Sequence, residues 1–239
     1  MISSRLISDE KDHNMLIVEP PLIGVYISPN TPGSKVPSHG TSGFGEEYAI
    51  DFVMIKENDV FKKPYRKSFL EYLFKGLQLS DFYGWGKKVY SPVNGEVIEI
   101  ENNISERNPV NIFRDLKNAI DVTNDNTKNI SSPKKITGNY VMLKMTDNEY
   151  ALLVHLKKGS VSVKVGQKVK IHDVLGELGY SGNSTMPHLH MQFMDSSDFS
   201  IAKGIPFVIN SYKLKKNNKW VRISNSVPKV EDIIKLEIE

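Results

Sequence analysis

Apolar residues fall in short runs, alternating or continuous, and the runs are broken by Gly, Pro, Asn and Ser. That pattern predicts strands more than helices. Residues 16–28 (LIVEPPLIGVYIS) are β-rich, with Pro20 and Pro21 demoting the middle to an edge or a bend. Residues 30–46 are a turn-rich loop of Pro, Gly and Ser. Residues 48–55 (YAIDFVMI) read as a buried strand carrying one acid, Asp51. Further strands are expected at 88–100, 139–145, 149–156, 161–163, 168–170, 174–178 and 188–194. Two more strand-like runs lie in the tail, around Tyr212 and at 220–223, and the Lys run at 213–219 reads as a solvated hairpin tip. Phe69, Tyr72, Leu73 and Leu77 have helical spacing, which predicts one short helix within 65–78, started by Ser68 and packed on the sheet. A weaker helix fits Ile112–Ile120, inside the polar, Asn-rich stretch 101–135. Irregular stretches of that length are usually functional or insertions. The expected fold is mainly β: an antiparallel sandwich or barrel-like domain with one or two short inserted helices. Pro92-Val-Asn-Gly-Glu-Val and Val165-Gly-Gln-Lys-Val share a turn-then-valine plan, which hints at a duplicated β unit.

Composition narrows the chemistry. The 239 residues fit one large domain, or one domain with insertions. A net charge of +3 is too small an excess to argue for nucleic-acid binding. No stretch approaches the ~18 apolar residues of a membrane span. The opening MISSRLISDEKDHN lacks the apolar core of a secretory signal, so the expectation is a cytoplasmic chain as written. Export by another route would place it at the cell wall or outside the cell. The absence of Cys excludes disulfides, thiolate nucleophiles and iron–sulfur clusters. A metal site must therefore be built from Asp, Glu and the six His.

His188-Leu189-His190 lies in a β-reading run, where positions i and i+2 share a face. His155 sits inside the apolar run 149–156, and His39 in the loop before the Asp51 strand. An ionised carboxylate in an apolar strand is costly unless it is paired or bound to a metal. Each feature also has a plain reading. A single strand His is more often a satisfied core or edge residue. His-x-His pairs recur in unrelated strands, and an acid can accept backbone N–H groups near a turn. His13 and His172 are assigned to surface or turn.

The combination is more specific. Tyr150 through Phe193 contains a tyrosine strand ending in His155-Leu156, then Val163-Lys-Val-Gly-Gln-Lys-Val, then Gly176-Glu-Leu-Gly-Tyr-Ser-Gly-Asn-Ser-Thr before His188-Leu-His190. This run resembles the LytM/lysostaphin-type zinc endopeptidases of peptidoglycan. Ser91-Pro-Val-Asn-Gly-Glu-Val and Tyr48-Ala-Ile-Asp51-Phe match two further strands of that family. The resemblance implies a domain of duplicated-hybrid-motif type and a peptidoglycan peptide as substrate. It implies Zn2+ held by Asp51, His190 and an upstream His, with His155 and His188 as unligated catalytic histidines beside it. The family's first ligand stands four residues before the Asp, where this chain has Glu47. His39, twelve residues before Asp51 on a longer loop, is favoured as the ligand, helped by Gly40, Gly43 and Gly45, with Glu47 as its rival. One domain is expected over 1–239. Its core would span about 36–55 and 88–194, with insertions at 56–87 and 101–137 and an extension at 195–239. Two other functions compete: a non-catalytic peptidoglycan-binding or regulatory member of the same fold, and a phosphotransferase-type carrier with a phosphorylated His. Asp51 and the His-Leu-His pair argue against the carrier.

Overall fold

The computed structural model describes residues 15–59, 61–126 and 136–238. His13 and residues 127–135 of the Asn-rich stretch lie outside these. The alternating runs form β1 (Leu16–Val18), β2 (Gly24–Ile27), β3 (Ile50–Met54), β4 (Lys88–Tyr90), β5 (Gly95–Glu101), β6 (Asn139–Thr146) and β7 (Glu149–Leu156). They continue as β8 (Lys168–Val169), β9 (Val174–Glu177), β10 (Leu189–Met194), β11 (Phe207–Lys216), β12 (Lys219–Ser226) and β13 (Ile234–Leu236). Among the described residues, helices include α1 (Phe69–Lys75) and α2 (Ile112–Asn126). Among the described residues no helix is long and apolar enough to cross a membrane.

The mainly β expectation holds. The large sheet runs β1-β11-β13-β2-β3-β10-β7-β6-β5-β8, with β12 added on β11, and β4 and β9 form a second, two-stranded sheet. Every pair is antiparallel except β1 with β11. Ile50, Phe52, Val141, Leu143, Leu153, Leu189, Met191 and Phe193 of the large sheet join Val89 and Leu175 of the small one in the main core. The two segments with a shared plan lie side by side, since Gly95 and Glu96 of β5 pair with Val169 and Lys168 of β8.

Several elements differ from the sequence expectation. Residues 161–163 form no strand, although Val163 is buried in the core. The Asp51 strand starts at Ile50, because Gly43–Tyr48 close into 3-10 turns first. Helix α1 is shorter than 65–78. Ser68 and Glu71 form a reciprocal capping box at its start, and Gly76, at φ 70°, ends it. It does not pack on the sheet. Tyr72 is its buried residue, set edge-on to Tyr65 and Phe82 in a satellite cluster that also takes Val110 and Tyr180. Phe69, Leu70 and Phe74 face outward. Helix α2 is longer than expected, and the Asn111 side chain accepts the Arg114 N–H to start it. The Lys run does sit at the β11–β12 turn, where Asn217 and Asn218 both have positive φ.

One close approach shapes the region of the histidines. Gly138, at the mouth of β6, and Gly182 (φ 65° and 71°) press backbone against backbone; a Cβ on Gly138 would lie 2.4 Å from Ser181 C, and one on Gly182 2.4 Å from Gly138 N. Gly138→Ala or Gly182→Ala is expected to destabilise the fold by about 2–4 kcal/mol, read as a lowered urea midpoint. A midpoint equal to wild type would show that the two backbones can separate without cost.

Candidate metal centre and its flanking histidines

The site lies on the sheet face opposite the main core. Along β10, Leu189, Met191 and Phe193 point into that core, so His190, Gln192 and Met194 point the other way. In β3, Ile50 and Phe52 take the core and Asp51 takes the site face. Antiparallel pairing sets Asp51 directly opposite His190. His39 arrives on its loop. Buried Ser38 donates its N–H to Glu47 O at 2.9 Å, which folds the loop back over β3 with Gly40 and Gly45 at positive φ.

One ligand atom each from His39, Asp51 and His190 lies within 4.8 Å of the others. His39 Nε2 is 3.1 Å from Asp51 Oδ2, and His190 Nδ1 is 3.0 Å from Asp51 Oδ1. Glu47 is not part of this cluster. The outward nitrogens are engaged elsewhere. His39 Nδ1 meets Ser38 Oγ at 2.9 Å, and His190 Nε2 meets Gln192 Oε1 at 2.8 Å. An amide oxygen only accepts, so His190 carries its proton on Nε2 towards Gln192 when neutral, and its Nδ1 lone pair faces Asp51. Gln192 is fixed in turn by donating to Phe44 O at 2.7 Å. Asn30 Nδ2 donates to Asp51 Oδ2 at 2.7 Å. An N, O, N set with hydrogen-bonded outer partners suits zinc. Sequence reasoning missed Ser38, Gln192 and Asn30. Gln192 had a signal, because it stands two residues past His190 on the same face; Asn30 had none.

His155 and His188 sit beside this set, with ring centres 4.7 Å apart. His188 Nε2 is 3.6 Å from Asp51 Oδ1, while its Nδ1 donates to Met186 O at 2.8 Å and lies 3.0 Å from Ser184 Oγ. His155 Nδ1 donates to Ser181 O at 2.9 Å. Both rings therefore hold the Nδ1–H tautomer and keep Nε2 for chemistry.

Strict alternation would not have put His155 here. Val154 lies opposite His190, so residue 155 should share the core face of Ala151 and Leu153. A β-bulge prevents this. Leu156 pairs with Asn139 and Val154 with Tyr140, which leaves His155 as the extra residue at φ 65°. The bulge turns His155 to the site face and returns Leu156 to the core. His172 lies in a turn, as expected.

The electrostatics follow from burial among rings. Burial opposes ionisation of Asp51, but His188, His190 and His39 outweigh it and hold the carboxyl well below its usual range. Burial, reinforced by the neighbouring His188, pushes His155 well down, and burial also lowers His188. Burial works against charge on His190 too, yet the Asp51 carboxylate raises it to about 9.

Residues 122–201, which include His155, His188 and His190, match the model of Peptidase family M23. The resemblance read from the motifs holds over that stretch, about a third of the chain. An uncharacterized metalloprotease of Buchnera aphidicola subsp. Baizongia pistaciae is 42% identical over 55 residues, covering 23% of this chain and 14% of that protein. The peptidoglycan DD-endopeptidase ShyC of Vibrio cholerae is 36% identical over 64 residues, covering 27% of this chain and 14% of that protein. The aligned stretch thus spans about one seventh of these curated relatives. The solved catalytic domain of lysostaphin from Staphylococcus simulans is 19% identical with a TM-score of 0.37, over 76% of this chain and 88% of that one.

Two expectations follow. A β-branched residue is ill suited to positive φ, so His155→Val should be less stable than His155→Gly by about 1–3 kcal/mol in denaturant unfolding. Equal stabilities would mean that the bulge stores no strain. The metal-free protein should be most stable near pH 6.5. Below that, the unfolded chain binds protons that buried His155 and His188 refuse, so stability falls with pH. Above it, the proton held by His190 up to about 9 is lost more readily by the unfolded chain, so that contribution disappears as pH rises through 9. Asp51 adds stability that is lost only as pH falls through the acid range. Urea midpoints of chelated protein across pH 5–9 read this, and a flat profile would refute it.

Proposed function

We propose that this chain is a zinc-dependent endopeptidase that hydrolyses peptide bonds in peptidoglycan cross-links or stem peptides. The observation that carries the reading is the convergence of His39, Asp51 and His190 within 4.8 Å, with two further histidines alongside. The match to Peptidase family M23 supports the reaction class, and the short alignment with a peptidoglycan DD-endopeptidase supports the substrate class. The proposed catalytic unit is the core at 36–55 and 88–194, and the proposed place of action is the cell wall.

His39 through Nε2, Asp51 through a carboxylate oxygen and His190 through Nδ1 would hold the ion. When bound, zinc would supply Lewis acidity there, bringing the pKa of a water down to near neutrality and polarising a carbonyl. The chain's own residues do the rest. Lowered basicity keeps His155 and His188 neutral near pH 7, with Nε2 unprotonated and able to accept a proton from the attacking water. The protonated ring can hydrogen-bond the oxyanion and then passes its proton to the leaving amide nitrogen as the C–N bond breaks, so that peptide cleavage is completed with no net proton change. The Nδ1–H bonds to Ser181 O and Met186 O hold both rings in the tautomer this requires. A purely binding role would need neither tautomer, which weighs against the non-catalytic reading.

The test is digestion of purified peptidoglycan with and without chelator, followed by mass analysis of the fragments. His190→Ala and His39→Ala should lose both zinc and cleavage. His188→Ala should keep zinc and lose cleavage by about 100-fold or more, and Glu47→Ala should keep zinc. Full zinc in the His190 variant, or zinc loss on changing Glu47 rather than His39, would overturn the ligand set.

A further inference from the structure

Residues 101–126, part of the segment 101–137 read from sequence as an insertion, reach the site. Arg107 donates from Nε to Asp115 Oδ1 at 2.9 Å, and from its two terminal nitrogens to Gly182 O at 2.8 Å and Ser184 O at 2.7 Å. Its guanidinium carbon lies 4.6 Å from the Tyr180 ring centre. Asp115, on the inner side of α2, has a fully buried side chain; it also accepts from Asn111 N at 2.7 Å and Arg114 Nε at 3.1 Å. The preceding residue, Glu106, accepts the Tyr180 N–H at 2.8 Å. Two neighbouring side chains thus hold the turn 180–184 at three backbone points.

That turn orients both flanking histidines. Ser181 supplies the carbonyl that takes the His155 Nδ1–H bond. Ser184 Oγ donates to Met186 O at 2.7 Å and lies 3.0 Å from His188 Nδ1, and Met186 O takes the His188 Nδ1–H bond. No hydrogen bond links Arg107 to the histidines themselves, so any effect on them passes through the backbone it holds. A planar guanidinium can bind a carboxylate and two carbonyls in one rigid arrangement, which an ammonium cannot reproduce.

We propose that Arg107 is the positioning residue of the His155/His188 pair: fixed by buried Asp115, its fork locks the 180–184 turn and with it the tautomer and aim of both rings. The inserted helix α2 is then part of the hydrolytic apparatus through Asp115. The kinetic half of this inference rests on the peptidase reading; the tautomer half does not.

The test uses the full chain, 15N-labelled, with long-range 1H–15N correlation of the imidazoles at pH 7.5, alongside zinc content and peptidoglycan digestion. Wild type should show single Nδ1–H tautomers at His155 and His188. Arg107→Met and Arg107→Lys should keep the wild-type zinc content, give mixed tautomers at both rings, and lower kcat about 10- to 100-fold with KM little changed. Arg107→Lys retains a charge opposite Asp115, so it decides the matter if Arg107→Met does not fold. Single Nδ1–H tautomers and an unchanged kcat in Arg107→Lys would overturn the proposal. If wild type releases no fragments while the tautomers still shift in Arg107→Lys, the peptidase reading falls and the positioning role stands.

Discussion

A carboxylate buried among four polar side chains organises this protein. Asp51 has an almost fully enclosed side chain, and an ionised acid in such a place costs several kcal/mol unless its oxygens are satisfied. Asn30 satisfies one oxygen with an amide, His39 and His190 face the two oxygens, and His188 stands one step further out. The same charge that would be destabilising alone draws the rings together and holds His190 protonated when no cation is bound. A divalent ion placed among these three donors would replace that proton, so the features that make the cluster costly without metal suit it to binding one.

The second constraint is parity. A strand offers alternate residues to alternate faces, and here one face is core while the other is the site. Asp51 and His190 obey alternation. His155 does not, and the sheet accommodates it by inserting one extra residue at positive φ, so that Leu156 regains its place in the core. Local strain at that position is the means by which a histidine on β7 joins two groups carried by β3 and β10.

The third layer lies outside the sheet. The inserted segments bury Tyr72, Tyr65, Phe82 and Val110 with Tyr180, the residue that opens the histidine-bearing turn. Their polar side chains Glu106 and Arg107 grip the backbone of the same turn, and Gly138 and Gly182 allow β6 to approach it closely. Stability and chemistry meet there, since the contacts that pack the insertions also fix the acceptors for both Nδ1–H bonds.

Much of this was legible in the residues. Strand periodicity placed nearly all the ladders, His188-Leu-His190 announced two rings on one side, and an acid in an apolar run marked Asp51 as anomalous. These are local properties, set by the two-residue repeat of a strand and by the cost of burying charge, so the chain alone determines them. The tertiary structure decided which strands became neighbours, that His39 and not Glu47 folds back onto Asp51, that His155 escapes its expected face through a bulge, and that Arg107 from an apparent insertion holds the 180–184 turn. Each of these depends on contacts between residues far apart in sequence, and no local pattern encodes a register, a loop closure or an ion pair formed across the fold.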